Sequence, residues 1–264
     1  MFRTARAMSK KVLHLVRHGQ AIHNVRAEPR RAAGCSIEEF RSIMREDDCF
    51  DAPLTAIGLQ QATIAGALAY QEGSCGSLQL IVSSPLSRAL HTADLVFPPG
   101  SVPQTCARVC MEHFRERRGM ENAQRRRASE LRSAFPHWDF CALPEEDEGH
   151  NAECITTCAQ RAYEGLCMTW ARPEKRVAIV AHGGVFMHLL EHHSNVVADA
   201  EVRRQFRNCD VRSCEFWVDA EGGGVAGGNM PTVHLKLLSS NAVENFAWRR
   251  ETFESTSRYA SSCL

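Results

Sequence analysis

Residues 15–24 read LVRHGQAIHN, in which Arg17-His18-Gly19 follows an apolar run containing Val12, Leu13, Leu15 and Val16. That run predicts a short buried strand. Arg17 and His18 then emerge at its carboxyl end, where open α/β sheets bind ligands. Gly19 lets the backbone approach an anion closely. The placement suits a histidine that accepts a phosphoryl group.

Outward from this stretch, strand-like and helix-like segments alternate. The pattern predicts an α/β fold, a three-layer α/β/α sandwich with a mainly parallel sheet, helices on both faces and an antiparallel strand at one edge. The polar segment 26–51 has no sustained period and reads as a surface loop with a short helix. Thr55 is placed to cap a helix whose inner face carries Leu59, Ala62, Ala65 and Ala69. Leu78–Val82 reads as a second strand. Ser84 and Pro85 read as the cap and first-turn proline of a helix reaching about Val96, and Pro98, Pro99 and Gly100 end it. Thr105–Met111 suits a third strand. The segment 115–148, Arg-rich and then acid-rich, breaks the alternation and reads as a lid or insertion. Ile155, Cys158, Ala162, Leu166 and Trp170 mark a long amphipathic helix, and Val177–Ala181 is an apolar strand ending at His182-Gly183-Gly184. The second half thus repeats the opening geometry. Glu215–Val218 and Val233–Leu237, separated by the glycine-rich EGGGVAGGN, predict an antiparallel hairpin at the sheet edge.

The 264 residues are 44% hydrophobic, enough for one domain (1–264) with variable loops at about 26–51 and 115–148. Lys plus Arg equals Asp plus Glu at 31 each, so no global field favours nucleic acid or an acidic membrane, and anion binding must be local. No apolar run approaches the roughly 20 residues of a membrane span. Twelve irregularly spaced cysteines read as reduced thiols of a cytoplasmic protein. The basic opening MFRTARAMSKK runs almost directly into the first strand and is read as non-targeting, and the terminal SSCL does not match a prenylation signal. The sequence carries no signal of oligomeric state.

Four side chains at strand-to-helix junctions make a candidate phosphate site. They are Arg17 and His18, Arg88 in the first turn of the helix after Ser84-Pro85, and His182. Guanidinium groups and imidazoles can stabilise phosphoryl charge without a metal. Other patterns read as structural. Cys106 with Cys110 and Cys154 with Cys158 lack a second pair at zinc-site spacing and are read as core thiols. His188 and His192 lack the Glu of a zinc-protease motif, and Gly222–Gly228 lacks the Lys-Ser/Thr of a nucleotide loop. Arg125, Arg126 and Arg127 suit either a charged substrate remainder or a solvated helix start.

These residues resemble the histidine phosphatase superfamily, which includes the cofactor-dependent phosphoglycerate mutases. LVRHGQAIHN, with Asn24 at the expected distance from His18, is similar to its opening signature; DAPLTAIGLQQA, SSPLSRALHTA and IVAHGGVF resemble the next blocks in order and spacing. The resemblance covers most of the chain and is closest to the plant, fungal and protist phosphoglycerate-mutase-like branch. It implies that neutral His18 attacks phosphorus, that Arg17, Asn24, Arg88 and His182 bind the phosphate, and that no metal or cofactor is required. It also implies a proton-donating glutamate after the third strand. Glu116 in FRERRGM fits that position better than Glu112 in CMEHF. The Tyr-Gly-containing segment of the mutases is missing, so hydrolysis of a small phosphorylated substrate outranks mutase activity or non-turnover binding of a phosphorylated ligand.

Overall fold

Alternation along the first strand sorts its side chains between two cores. In a computed structural model, which describes residues 10–46, 49–147, 151–219 and 230–243, β1 (Lys11–Arg17) sends Leu13 and Leu15 to one face and Val16 to the other. On the first face they meet Cys158, Ala162 and Leu166 of α6 (Ile155–Ala171) and Val185, Phe186 and Leu189 of α7 (Gly183–His192). On the second, Val16 and Ile81 pack with α3 (Ala56–Gln71), α4 (Ser87–Val96) and α5 (Ala128–Ala134). The result is the expected three-layer α/β/α arrangement.

The sheet has the order β3-β2-β4-β1-β6-β7-β5. Its parallel half comprises β3 (Ala107–Cys110), β2 (Leu80–Ser83), β4 (Arg176–Ala181) and β1. Beyond β1 run β6 (Val211–Asp219), antiparallel to β1, and β7 (Thr232–Asn241), antiparallel to β6 as the hairpin reading requires, although both are longer than the sequence suggested. The short β5 (Val196–Ala198), parallel to β7, forms the outer edge and was not anticipated. The hairpin's glycine-rich turn, the basic N-terminal stretch before Lys10 and the terminal SSCL lie outside the described residues. Among the described residues no helix is long and apolar enough to cross a membrane, and the eleven cysteines there are free.

Several expectations are corrected. Segment 26–51 is not mainly loop: α1 (Ile22–Ala32) and α2 (Ile37–Ile43) occupy much of it. The side chain of Asn24 supports α1 by accepting from Ala21 N at 2.9 Å, a contact that polar composition conceals. Helix α3 is capped by Thr55 as expected, but Leu59 faces solvent while Ala62, Ala65 and Ala69 are buried. Ser84 and Pro85 do not cap α4, which begins at Ser87. Segment 115–147 is packed into the fold over part of its length. Leu131, Phe135, Trp138, Phe140 and Leu143 enter the second core, and Asp139 bridges to Val109 at the sheet edge. Their irregular spacing hid this burial, because no single helix or strand collects them. Cys154 is exposed rather than a core thiol, and its sulfur accepts from Thr157 N as the cap of α6.

Candidate active site

Parallel pairing brings three strand ends together. Arg17 of β1 is in register with Ala181 of β4, and Ser83 of β2 with Val180. The residues that follow, His18, His182 and Ser84, therefore share one end of the sheet, and the rings of His18 and His182 lie 5.0 Å apart. His18 is 2% exposed and His182 fully buried. The turn after His18 is tight: a Cβ on Gly19 would meet Gly58 O at 2.5 Å, and Gly19 N donates to Thr92 Oγ1 at 3.0 Å. Asn208 Nδ2 donates to His18 O at 3.0 Å.

The tautomer of His18 follows from a ring partner. Nδ1 lies 2.6 Å from Gly19 O, which can only accept, so Nδ1 carries the proton and Nε2 presents a lone pair. Burial, then the charges of Arg88 and Arg17, hold the imidazole well below its ordinary pKa. It is thus neutral near pH 7, as a nucleophile must be. Burial and Arg88 do the same to His182 and to His23, whose ring is 6.0 Å from that of His18. His182 Nε2 is paired with Ser84 Oγ at 2.7 Å.

Arg88 is fully buried, and none of its three guanidinium nitrogens has a hydrogen-bond partner among the described residues. Burial lowers it to about 10, which leaves it cationic at neutral pH. Its helix is positioned from a distance. Asp51 accepts from Ser87 N at 2.8 Å and from Ser87 Oγ, capping α4, and Arg126 lies 3.1 Å from the same carboxylate. Arg17 donates from Nη1 to Phe206 O at 2.8 Å and from Nη2 to Glu28. Asn24 reaches this group only through Glu28, to whose Oε1 its Nδ2 donates at 3.1 Å.

The two candidate acids differ in their surroundings. Glu112 is held by Arg125 Nε at 2.5 Å and Arg115 Nη1 at 3.2 Å, both from buried arginines. Glu116 lies against the start of α7, where a Cβ on Gly184 would collide with its carboxylate, and it is the largest charge acting on Arg88. Buried His188, one turn beyond Gly184, also feels Glu116, while His192 is exposed. Among the described residues no cluster of three or more metal-ligating side chains occurs. The basic cluster is structurally engaged: buried Arg125 donates to Pro144 O and Glu146 O, and Arg127 pairs with Glu146.

Sequence reading missed Ser84 as partner of His182, His23 as a third buried imidazole, and Asp51 and Thr92 as supports. DAPLT and the i, i+4 spacing of Arg88 and Thr92 were available signals for the last two.

Comparison with known proteins gives a consistent result. The family model of the histidine phosphatase superfamily (branch 1) matches residues 13–222. The chain is 32% identical over 237 residues to phosphoglycerate mutase-like protein 1 of Arabidopsis thaliana, covering 77% of this chain and 80% of that relative. It is 28% identical over 235 residues to a second Arabidopsis thaliana phosphoglycerate mutase-like protein, covering 77% and 83%. Among solved structures, the fold is similar to mycobacterial hydrolase 2, with TM-score 0.55 and 19% identity over 96% of this chain and 98% of that one. It is also similar to the ecdysone phosphate phosphatase of Bombix mori, with TM-score 0.55 and 15% identity over 83% and 97%.

Proposed function

Since the chain belongs to the histidine phosphatase superfamily, we propose that it hydrolyses small phosphomonoesters through a phosphohistidine formed on His18. The observation that carries this reading is Arg88, a fully buried cation with three unpartnered nitrogens beside two neutral histidines. A buried guanidinium whose donors make no hydrogen bond is costly, and a phosphoryl dianion is the ligand whose charge and oxygen geometry match it.

In the first step the Nε2 lone pair of His18 forms a bond to phosphorus while the bond to the ester oxygen breaks. Glu116 gives its proton to that departing oxygen. Arg17, Arg88 and His182 hold the three transferring oxygens, and the charge of the two arginines with the hydrogen bonds of all three substitutes for a metal ion. In the second step water attacks phosphorus, the Glu116 carboxylate takes a proton from it, and the N–P bond breaks. Inorganic phosphate leaves, and neutral His18 and protonated Glu116 are restored.

The test is hydrolysis of a broad phosphomonoester panel with chelator present, comparing the wild type with His18→Ala and trapping acid-labile phosphoenzyme. Turnover that falls by at least about 10³-fold in His18→Ala, with phosphate trapped on His18, is the expected result. Bisphosphoglycerate-dependent interconversion of phosphoglycerates without net hydrolysis would instead establish a mutase. A folded wild type that binds phosphorylated ligands without turnover would establish a binding module.

A further inference from the structure

Arg17 is buried, yet its guanidinium is used unevenly. Nη1 is fixed by the carbonyl of Phe206 at 2.8 Å, and Nη2 by the carboxylate of Glu28. Nε is buried with no partner among the described residues. It lies 3.2 Å from where a Cβ of Gly183 would stand, so it faces the residue that directly follows His182. Glu28 is itself held. Asn24, one turn earlier on α1, donates from Nδ2 to Glu28 Oε1 at 3.1 Å and accepts from Ala21 N at 2.9 Å. A chain of contacts thus runs from the start of α1 through Asn24 and Glu28 to Arg17.

We propose that Glu28 is a positioning residue for the phosphate site, clamping Arg17 so that its Nε edge stays turned toward His182 and Gly183. The inference rests on the reading of Arg17 as a phosphate ligand. A long, rotamer-rich side chain that is already fixed loses little freedom when an anion binds, so the clamp strengthens binding without touching the ligand. Under this assignment Asn24 acts through Glu28. The rival role for a carboxylate beside a phosphate-binding arginine is competition, in which Glu28 would occupy the guanidinium until phosphate displaces it. Geometry favours the clamp: Glu28 engages Nη2 and leaves Nε uncovered.

The two roles predict opposite signs. Inorganic phosphate and vanadate binding would be measured by calorimetry for the wild type, Glu28→Ala, Glu28→Gln, Arg17→Ala and the Glu28→Ala/Arg17→Ala double variant. Glu39→Gln serves as the surface control, since Glu39 pairs with exposed Arg30 at 3.6 Å. The expected result is about tenfold weaker phosphate binding in Glu28→Ala. Glu28→Gln, which keeps a hydrogen-bond acceptor, should recover part of the loss. The double variant should be no weaker than Arg17→Ala alone, and Glu39→Gln should match the wild type. For hydrolysed substrates KM should rise more than kcat falls. Tighter or unchanged phosphate binding in Glu28→Ala, with Arg17→Ala still impaired, overturns the clamp alone. Binding indifferent to Arg17→Ala overturns the clamp together with the phosphate-site reading. Weakening that adds fully to that of Arg17→Ala overturns it as well, because Glu28 would then act elsewhere.

Discussion

A single buried imidazole can serve as a nucleophile only if it is both neutral and correctly protonated, and His18 meets both conditions through its neighbours. The Gly19 carbonyl selects the tautomer, while burial with Arg88 and Arg17 suppresses the second proton. Glu116 depends equally on one neighbour, since the absence of a side chain at Gly184 makes room for its carboxylate beside α7. Gly184→Ala should therefore displace Glu116. The expected outcome is a drop in kcat of about 10²-fold for esters with poor leaving groups, and a much smaller drop for aryl phosphates whose leaving group needs no proton. Steady-state kinetics across a leaving-group series reads the difference. Equal losses across the series would show that Glu116 is not the proton donor.

Among the elements, α4 shows how a candidate site residue, Arg88, is aimed by a distant side chain. The helix lacks a side-chain cap from its own flanking residue, Leu86. Asp51 supplies the cap from 36 positions away, bonding both Ser87 N and Ser87 Oγ next to Arg88. Burial raises the pKa of this carboxyl even though the Ser87 bonds and nearby Arg88 and Arg126 oppose the rise. Replacing it by alanine would leave a buried donor unsatisfied at the helix start. Asp51→Ala should cost about 2 kcal/mol in denaturant unfolding and should raise KM as Arg88 loses its fixed approach. An unchanged unfolding midpoint would remove Asp51 from the support of α4. The segment after β3 acts on the same scale. By burying Arg115 and Arg125 against Glu112 and Asp147, it occupies the rival carboxylate and leaves Glu116 beside Arg88.

For the whole molecule, buried histidines shape the response to acid, and His188 is joined in this by four others among the described residues. His14, between β1 and β6, is lowered to about 4 by burial and Arg176, and His18, His23 and His182 lie well below 6.5. Each is neutral in the folded protein but takes a proton near pH 6.5 once unfolded. Their contribution to stability is therefore complete above that pH and is lost as pH falls toward the folded values. The expected loss is on the order of 1 kcal/mol per histidine at pH 5.5, seen as a falling Tm between pH 7 and 5. Inorganic phosphate should reduce the loss, because an anion at Arg88 stabilises protonated imidazoles beside it and binds only the folded state. A Tm that is flat over this range would contradict the burial of these histidines, and one insensitive to phosphate would contradict the placement of His18, His23 and His182 around an anion site.

The signals legible in the chain are local. An apolar run followed by Arg-His-Gly, another followed by His-Gly-Gly, and an arginine in the first turn of a helix each declare a strand end or helix start within a few residues. Parallel pairing then makes those ends neighbours, so His18, Arg88 and His182 were legible together with the layered fold. How each group is held and charged depends instead on contacts between elements. Ser84 on His182, Asp51 on Ser87 and Asn208 on the His18 carbonyl join positions far apart in the chain, and Glu28 reaches Arg17 from another element. The aromatic residues of segment 115–147 have no period that would announce their burial, and the three residues of β5 are too few for a pattern. Periodicity reports which face of one element is apolar. The partner of a buried polar group, and hence its proton affinity and orientation, depends on which other elements the fold brings against it.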